Sequence, residues 1–163
     1  MAESWKIRIL RWRFNWYPAF RNTGARVTYI SEDKLAAKLR LPLCRVTRNL
    51  HGTIYGGSMY AAIDALHAVL LATNLGPAYH VWMKAAQIEF RRPGRGDLFA
   101  DARITSVELD EIRSALETET KIDRDFPLSL ADASGEVAAQ FRLTVHIRRR
   151  RTQDREMEGI LYS

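Results

Sequence analysis

Residues 49–76 read NLHGTIYGGSMYAAIDALHAVLLATNLG, and this stretch decides the fold. After the glycine pair Gly56–Gly57 it predicts a helix over about residues 57–73 that is apolar on almost every side. A helix of that kind has to be enclosed by other elements. Its only ionisable side chains are Asp64 and His67. A buried carboxylate is costly, so Asp64 either pairs with His67 or another donor, or acts as a base or nucleophile facing a pocket.

Most of the remaining chain alternates apolar and polar residues with a period of two, which predicts half-buried strands. The predicted extended stretches are residues 27–29, 35–41, 80–90, 98–105, 118–123 and 139–148. In the stretch after the long helix, the buried face is expected to carry Trp82, Ala86, Ile88 and Phe90. A capping box, Thr105–Glu108, predicts a short helix. Because an antiparallel sheet has one apolar face to cover, we expect an α+β fold, a curved antiparallel sheet wrapped around one long central helix.

A helix is also predicted at the N-terminus, over about residues 4–17, with two opposite apolar stripes. The stripes consist of Trp5, Ile9, Trp12 and Trp16 on one side and Ile7, Leu10, Phe14 and Tyr17 on the other. A helix that is apolar on two sides needs two partners, which we expect to be its own domain and a second subunit. The alternative for the outer stripe is a membrane surface, because helices that lie on membranes combine tryptophan with arginine.

Length and composition bound the function. The 163 residues predict a single domain, with a core over about 26–149 and an aperiodic tail over 152–163. No apolar run reaches the ~20 residues of a membrane span, and a lone cysteine, Cys44, together with the charged N-terminus, favours the cytoplasm. The net charge of +6 comes mostly from arginine, 20 against 5 lysines. Either it serves solubility, or the partner is anionic, such as a phosphate-bearing small molecule, a nucleic acid or a membrane.

The stretch from Asn49 to Gly57, N-x-H-G-x-x-Y-G-G, is followed by an aspartate seven residues later. This pattern resembles the signature of hotdog-fold acyl-CoA thioesterases, most closely the phenylacetate-degradation type. Residues 81–104, VWMKAAQIEFRRPGRGDLFADARI, are similar to the strand, Pro–Gly turn and strand that follow the helix in an uncharacterised branch of that superfamily. The resemblance covers most of residues 26–149. It implies a hotdog fold, a homodimer or homotetramer, and active sites at the dimer interface.

The resemblance also assigns catalytic roles. It implies that Asp64 is the general base or nucleophile, that the Gly57 backbone N–H polarises the thioester carbonyl, and that Asn49 orients the water or the carboxylate, from the other subunit. Tyr55 stands where the family has a histidine, and a tyrosine donates a hydrogen bond but is no base at neutral pH. Tyr55 and Ala68, which replaces a helpful polar residue, favour the alternative of a non-catalytic acyl-CoA-binding protein.

The resemblance further implies that an acyl-CoA is the substrate and that no separate cofactor is needed, because coenzyme A is part of the substrate. The candidate substrate-binding residues are His51, Gly56, Ser58, Lys84, Arg91 and Arg92. Arginines suit the phosphates of coenzyme A, whereas Lys84 is equally explained as a lysine at the core edge. The aromatic residues that could line an acyl pocket are Tyr55, Tyr60, Phe90 and Phe99. No metal site is expected. A basic dimer that binds nucleic acid is a further reading, but the sequence has no module signature for it.

Overall fold

The computed structural model describes residues 3–150, so the predicted tail over 152–163 lies outside the described residues. The helices are Trp5–Trp16 (α1), Pro18–Arg21 (α2), Gly56–Ile63 (α3), Leu66–Leu75 (α4) and Ser106–Thr118 (α5). The strands are Arg26–Ile30 (β1), Ala36–Leu41 (β2), Tyr79–Phe90 (β3), Leu98–Arg103 (β4), Lys121–Ala131 (β5) and Val137–Arg149 (β6). The six strands form one antiparallel sheet that packs around the central α3–α4 segment, as predicted.

The sheet has the strand order β1-β2-β4-β5-β6-β3. Its inner face is built by alternation, most regularly in β6 from Ala139 onward, where every second residue is buried: Ala139, Phe141, Leu143, Val145 and Ile147. Between β4 and β5 the only paired position is Phe99 with Ala131, so the sheet opens there. Pro127, which has no N–H to donate, lies on β5 beside this opening and costs the sheet little.

The central helix is two segments, and not the single helix over 57–73 that the sequence predicts. A turn at Asp64–Ala65 separates α3 from α4. The side facing the sheet is buried, with Met59, Ala62, Ile63, Leu66, Leu70 and Leu71. The opposite side, with Ala61 and Asp64, is only half-buried, so the expected enclosure on all sides is wrong there. By length and composition Gly56–Leu75 would also suffice to cross a membrane, but here its apolar side covers the sheet.

Helix α1 lies against the outer edge of β1. Ser4 caps it by accepting a hydrogen bond from the Ile7 N–H, and Ile7 is fully buried, with Leu10 and Phe14 packed on the core. Tyr17 is exposed, contrary to prediction, because α1 ends at Trp16. The predicted outer stripe is exposed in full.

Strand β3 departs from its predicted faces. A bulge between Met83 and Ala85 shifts the register, so that Val81 and Met83 face the core before it, and Ala86 and Ile88 after it. Trp82 therefore lies on the outer face of the sheet, against the ring of His146, and its predicted inward position is wrong. Phe90, at the exposed end of the strand, is 57% exposed. Within the described residues β3 pairs only with β6, which leaves a twelve-residue edge open.

Candidate active site

Asp64 follows the last residue of α3 on the half-buried side of the central segment. Tyr60, one turn earlier, donates its hydroxyl to Asp64 Oδ1 over 3.1 Å. Burial, and then the negative charge of Asp64, raise the pKa of Tyr60, which keeps its proton on the oxygen. The sequence interpretation gave Tyr60 only a lining role, although its spacing of four residues from Asp64 is the spacing at which helical side chains meet.

His67 is not the partner of Asp64. It points from α4 toward the sheet, is 1% exposed, and stacks on the Phe126 ring with centroids 4.8 Å apart. Burial lowers its pKa to about 4, although a hydrogen bond to the Arg103 backbone carbonyl opposes the shift. The ring is therefore neutral at physiological pH. The two side chains face opposite sides of the segment, and over residues 3–150 no three His, Cys, Asp or Glu side chains form a cluster that could hold a metal.

A cavity of about 940 Å³ separates the central segment from α1 and α2. The central segment lines it with Tyr60, Ala61, Asp64, Ala65 and Val69, and most of the other lining residues are apolar, such as Leu10, Trp12, Phe14, Trp16 and Phe20. Its volume is near the upper end of the range for small-molecule sites. The Asp64 carboxylate thus stands at the wall of an apolar cavity large enough for an acyl group.

The start of α3 lies under two aromatic rings. Tyr55 precedes the helix without a capping hydrogen bond from its side chain, so the first N–H groups of α3 have no side-chain cap from it. A Cβ added at Gly57 would collide with the Tyr55 ring, and one added at Gly56 would lie 2.9 Å from Phe90 Cζ. The glycine pair is therefore needed for these rings to lie close to the helix start, whether or not a ligand binds there.

A second pocket, of about 570 Å³, opens at this helix start. Five of the predicted site residues line it together: Asn49, His51, Gly56, Arg91 and Arg92. The wall also contains Phe90 and Arg95. The structure thus joins the 49–56 stretch to the turn after β3, two segments far apart in sequence.

The arginines of this second pocket differ in their partners. Arg92 binds Asp132 over 2.6 Å and Arg91 binds Glu89 over 2.7 Å, so both charges are already matched. A hydrogen bond from the Ser134 hydroxyl, followed by the one from Arg92, lowers the pKa of the Asp132 carboxyl. Arg95 forms no salt bridge with any residue of the described range 3–150. It is the cation of this wall that is open to an anionic ligand.

Asn49 holds the loop that leads into the second pocket. Its Oδ1 accepts hydrogen bonds from the N–H groups of His51 at 2.9 Å and Thr53 at 3.1 Å, and its Nδ2 donates to Thr53 Oγ1. The amide therefore fixes a local turn. This contact places the His51 side chain at the pocket rim, and the expected role of Asn49 toward water stays a prediction.

Three further candidates, Lys84, Phe99 and Ser58, line neither pocket. Lys84, at the β3 bulge, forms an ion pair with Asp123 on the outer face of the sheet, where His146 shares the same carboxylate. The register shift explains its position. Phe99 also faces outward, from β4, and borders the opening next to Pro127. Ser58 is half-buried in the first turn of α3, and neither pocket includes it among its lining residues.

Within one chain the acid and the helix start are separate. Gly57 and Asp64 are seven residues apart, about 10 Å along a helix axis. Asp64 lines the large cavity, whereas at the other end of this span it is Gly56, the neighbour of Gly57, that lines the second pocket. One reacting group of a few ångströms does not reach both. A second chain is needed if they act on the same bond.

Known proteins resemble this chain in fold. A family model described as a domain of unknown function, DUF4442, matches residues 7–147, and no curated protein sequence is significantly similar to the chain. A solved protein of unknown function from Pseudomonas aeruginosa, described as "Probable Thioesterase", is 22% identical, with a TM-score of 0.77 over 88% of this chain and 95% of its own.

Two further solved structures agree with this result. A thioesterase from Haemophilus influenzae is 14% identical, with a TM-score of 0.67 over 90% of this chain and 93% of its own. A mutant thioesterase from Pseudomonas aeruginosa is 15% identical, with a TM-score of 0.66 over 92% of this chain and 97% of its own. At these identities the likeness shows the fold, and it confirms the hotdog architecture.

Proposed function

The chain belongs to the DUF4442 family, and we propose that it is an acyl-CoA thioesterase whose active site is shared between two subunits. The observation that carries this proposal is the position of Asp64, a carboxylate held by Tyr60 at the wall of a large apolar cavity. A general base must lie within reach of its substrate, and catalysis is favoured where the site is shielded from bulk water. The thioesterase names of proteins with the same fold support the reaction class.

In the proposed reaction the Asp64 carboxylate takes a proton from a water molecule as the water oxygen attacks the thioester carbonyl carbon. The negative charge that forms on the carbonyl oxygen is stabilised by the Gly57 N–H at the positive end of α3. The tetrahedral intermediate then collapses, the C–S bond breaks, and the coenzyme A thiolate leaves and takes up the proton. In the nucleophilic variant, the Asp64 carboxylate attacks the carbonyl carbon, the C–S bond breaks and the coenzyme A thiolate leaves, which gives a mixed anhydride. Water then hydrolyses the anhydride to the free acid and the Asp64 carboxylate.

The proposal requires a partner chain, because Asp64 lines the large cavity, whereas Gly57 of the same chain lies about 10 Å away along the helix axis, next to Gly56 at the second pocket. The open twelve-residue edge of β3 is a surface on which a second copy could pair strand to strand. An antiparallel pairing of two such edges is isologous and closes as a homodimer, which could associate further into a homotetramer. It would place each second pocket, at the Phe90 end of β3, beside the other subunit.

For the nucleotide part of the substrate we propose the second pocket. Among the residues that the structure describes, Arg95 is the cation of this pocket without a salt bridge, and His51 also lines it. Arg91 and Arg92 hold the turn through ion pairs with their own carboxylate partners. In this proposal they therefore shape the pocket wall, and the charge that binds a phosphate comes from Arg95. We propose that the reaction takes place in the cytoplasm, where acyl-CoA esters are available. It needs no further cofactor, because coenzyme A is part of the substrate.

The second candidate function is acyl-CoA binding without turnover. It is favoured by the ring of Tyr55, which lies over Gly57. The ring thus stands beside the residue whose N–H the reaction needs, at the place where the family has a histidine, and tyrosine does not replace a histidine base. The two functions differ in whether thiol is released from a bound ester.

Thiol release over acyl-CoA esters of increasing chain length, measured for wild type and Asp64→Asn, tests the proposal. We expect thiol release by wild type and a rate at least about 100-fold lower in the variant, because a general base usually accelerates a reaction by at least that factor. Asp110→Asn, an equal change at an exposed carboxylate of α5, is the matched control and should keep full activity. Equal rates in wild type and Asp64→Asn would refute the catalytic role, and ester binding without release would establish the second function.

A further inference from the structure

The outer side of α1 carries a continuous apolar surface that no described element covers. It consists of Trp5, Ile9, Trp12 and Trp16, which are between 47% and 66% exposed and are called the Trp stripe below. The opposite side of the helix is fixed to the domain through the buried Ile7 and through Asn15, which binds both backbone groups of Val27. The Trp stripe is thus held rigidly outward. A contiguous exposed patch of four large apolar side chains is typical of an interaction surface.

The surroundings of the stripe are positively charged. Exposed cations flank it on both sides: Lys6, Arg8, Arg13 and, from α2, Arg21. None of the four forms a salt bridge with another of residues 3–150, and the nearby carboxylate of Glu3 is already bound to Arg11. Two of these cations lie over indole rings of the stripe, Lys6 at 6.0 Å from Trp5 and Arg21 at 5.3 Å from Trp16.

We propose that the Trp stripe docks onto the surface of a membrane that contains anionic phospholipids. A helix with a tryptophan-rich face and flanking arginines lies at the boundary of headgroups and acyl chains, where the indoles are half-immersed and the cations meet phosphates. The long arginine and lysine side chains reach upward to the headgroups while their stems stay against apolar surface.

A second copy of this chain is a poorer occupant of the same surface. An isologous contact would bring cationic flanks of the two copies together. The two carboxylates at the start of α1 already have partners, Glu3 in Arg11 and Glu32 in the N–H and hydroxyl of Ser4. A lipid surface offers the opposite charge along both flanks at once. Charge complementarity therefore favours the membrane over self-association through this face.

Docking would also orient the large cavity. Trp12 and Trp16 belong both to the stripe and to the wall of the 940 Å³ cavity that contains Asp64. With the stripe on a membrane, this wall faces the lipid boundary, where long-chain acyl esters partition. This consequence, unlike the docking itself, rests on the proposed thioesterase function.

The test is co-sedimentation of the full chain with vesicles of phosphatidylcholine, with and without phosphatidylserine, at low and at physiological salt. We expect binding only with phosphatidylserine, weakened by salt. Arg8→Glu/Arg13→Glu should lower the partition coefficient by at least about 25-fold, from about fivefold for each cation removed. Trp12→Ala/Trp16→Ala should lower it by about tenfold or more.

Matched controls carry the same changes on the outer face of the sheet. Trp82→Ala removes an exposed tryptophan, and Lys121→Glu/Arg142→Glu reverses two exposed charges; both should bind vesicles as wild type does. Trp5→Gln, at the exposed start of α1, replaces the double tryptophan variant if that variant does not fold.

Three results would overturn the proposal. The first is that wild type sediments with neither vesicle type, and the second is that the stripe variants and the controls bind equally well. In the third, sedimentation velocity without lipid would show an oligomer that the stripe variants lose while vesicles bind none of the proteins, which would identify a second copy as the occupant. None of these readouts uses thioester hydrolysis, so the docking and the enzymatic proposal fail independently.

Discussion

His67 makes the stability of this fold depend on pH in a defined window. Its pKa in the folded chain is about 4, because burial disfavours the charged ring, whereas a histidine in an unfolded chain has a pKa of about 6.5. Between these values the unfolded state binds a proton that the folded state does not. Stability is therefore complete above about pH 6.5 and falls as the pH drops. The loss is about 1.4 kcal/mol at pH 5.5 and about 3 kcal/mol at pH 4.

The assay is the free energy of unfolding in urea at pH 7, 5.5 and 4.5, for wild type and His67→Gln. Glutamine does not titrate, and its amide can donate to the Arg103 carbonyl that the ring contacts. The variant should be less stable at pH 7, because it loses the stacking on Phe126, but it should lose about 1.2 kcal/mol less than wild type between pH 7 and 5.5. The other histidines are present in both proteins, so their contributions to the pH dependence cancel in the comparison. Parallel pH profiles would refute the reasoning.

Three further changes test the structure elsewhere. Asn15→Ala leaves both backbone groups of the buried Val27 without their side-chain partner. It should lower the free energy of unfolding, measured in urea, by about 2–3 kcal/mol. A loss under about 0.5 kcal/mol would mean that water replaces the amide. Tyr60→Phe removes the hydroxyl that holds Asp64 and should lower kcat about tenfold with KM unchanged, so an unchanged kcat in steady-state assays counts against this contact. Arg95→Ala should raise KM for acyl-CoA about tenfold by loss of a phosphate contact, and an equal effect on an ester of dephospho-coenzyme A would exclude the ribose phosphate as its partner.

Local patterns predicted most of the secondary structure because each depends on near neighbours. The capping box at Thr105 forms as predicted, with Thr105 accepting from the Glu108 N–H and Glu108 accepting from the Thr105 N–H. The alternation of β6 survives intact because that strand is paired on both sides along most of its length. The stripes of α1 follow from helical spacing alone, and the structure assigns one to the core.

The errors fall where one residue of register or one tertiary contact decides. In β3 a single extra residue at the bulge turns Trp82 and Lys84 outward, and nothing in the period-two pattern marks that position. For Asp64 the sequence left the partner open between His67 and another donor, and in the structure the donor is Tyr60. Both Tyr60 and His67 are within one turn of the acid, and only the placement of the sheet and of α1 determines which of them faces the same side.

The sequence by itself determined the kind of fold, the long helix under an antiparallel sheet, and the residues that carry chemical interest around the glycine pair. Periodicity and turn residues act over a few positions, so they can be read along the chain. Only the tertiary structure decided that Asp64 faces a cavity beside α1, that the 49–56 stretch meets the turn after β3, and that Arg95 is the unmatched cation there. These contacts join segments distant in sequence, and their geometry follows from how the sheet curves and packs, which no local pattern contains.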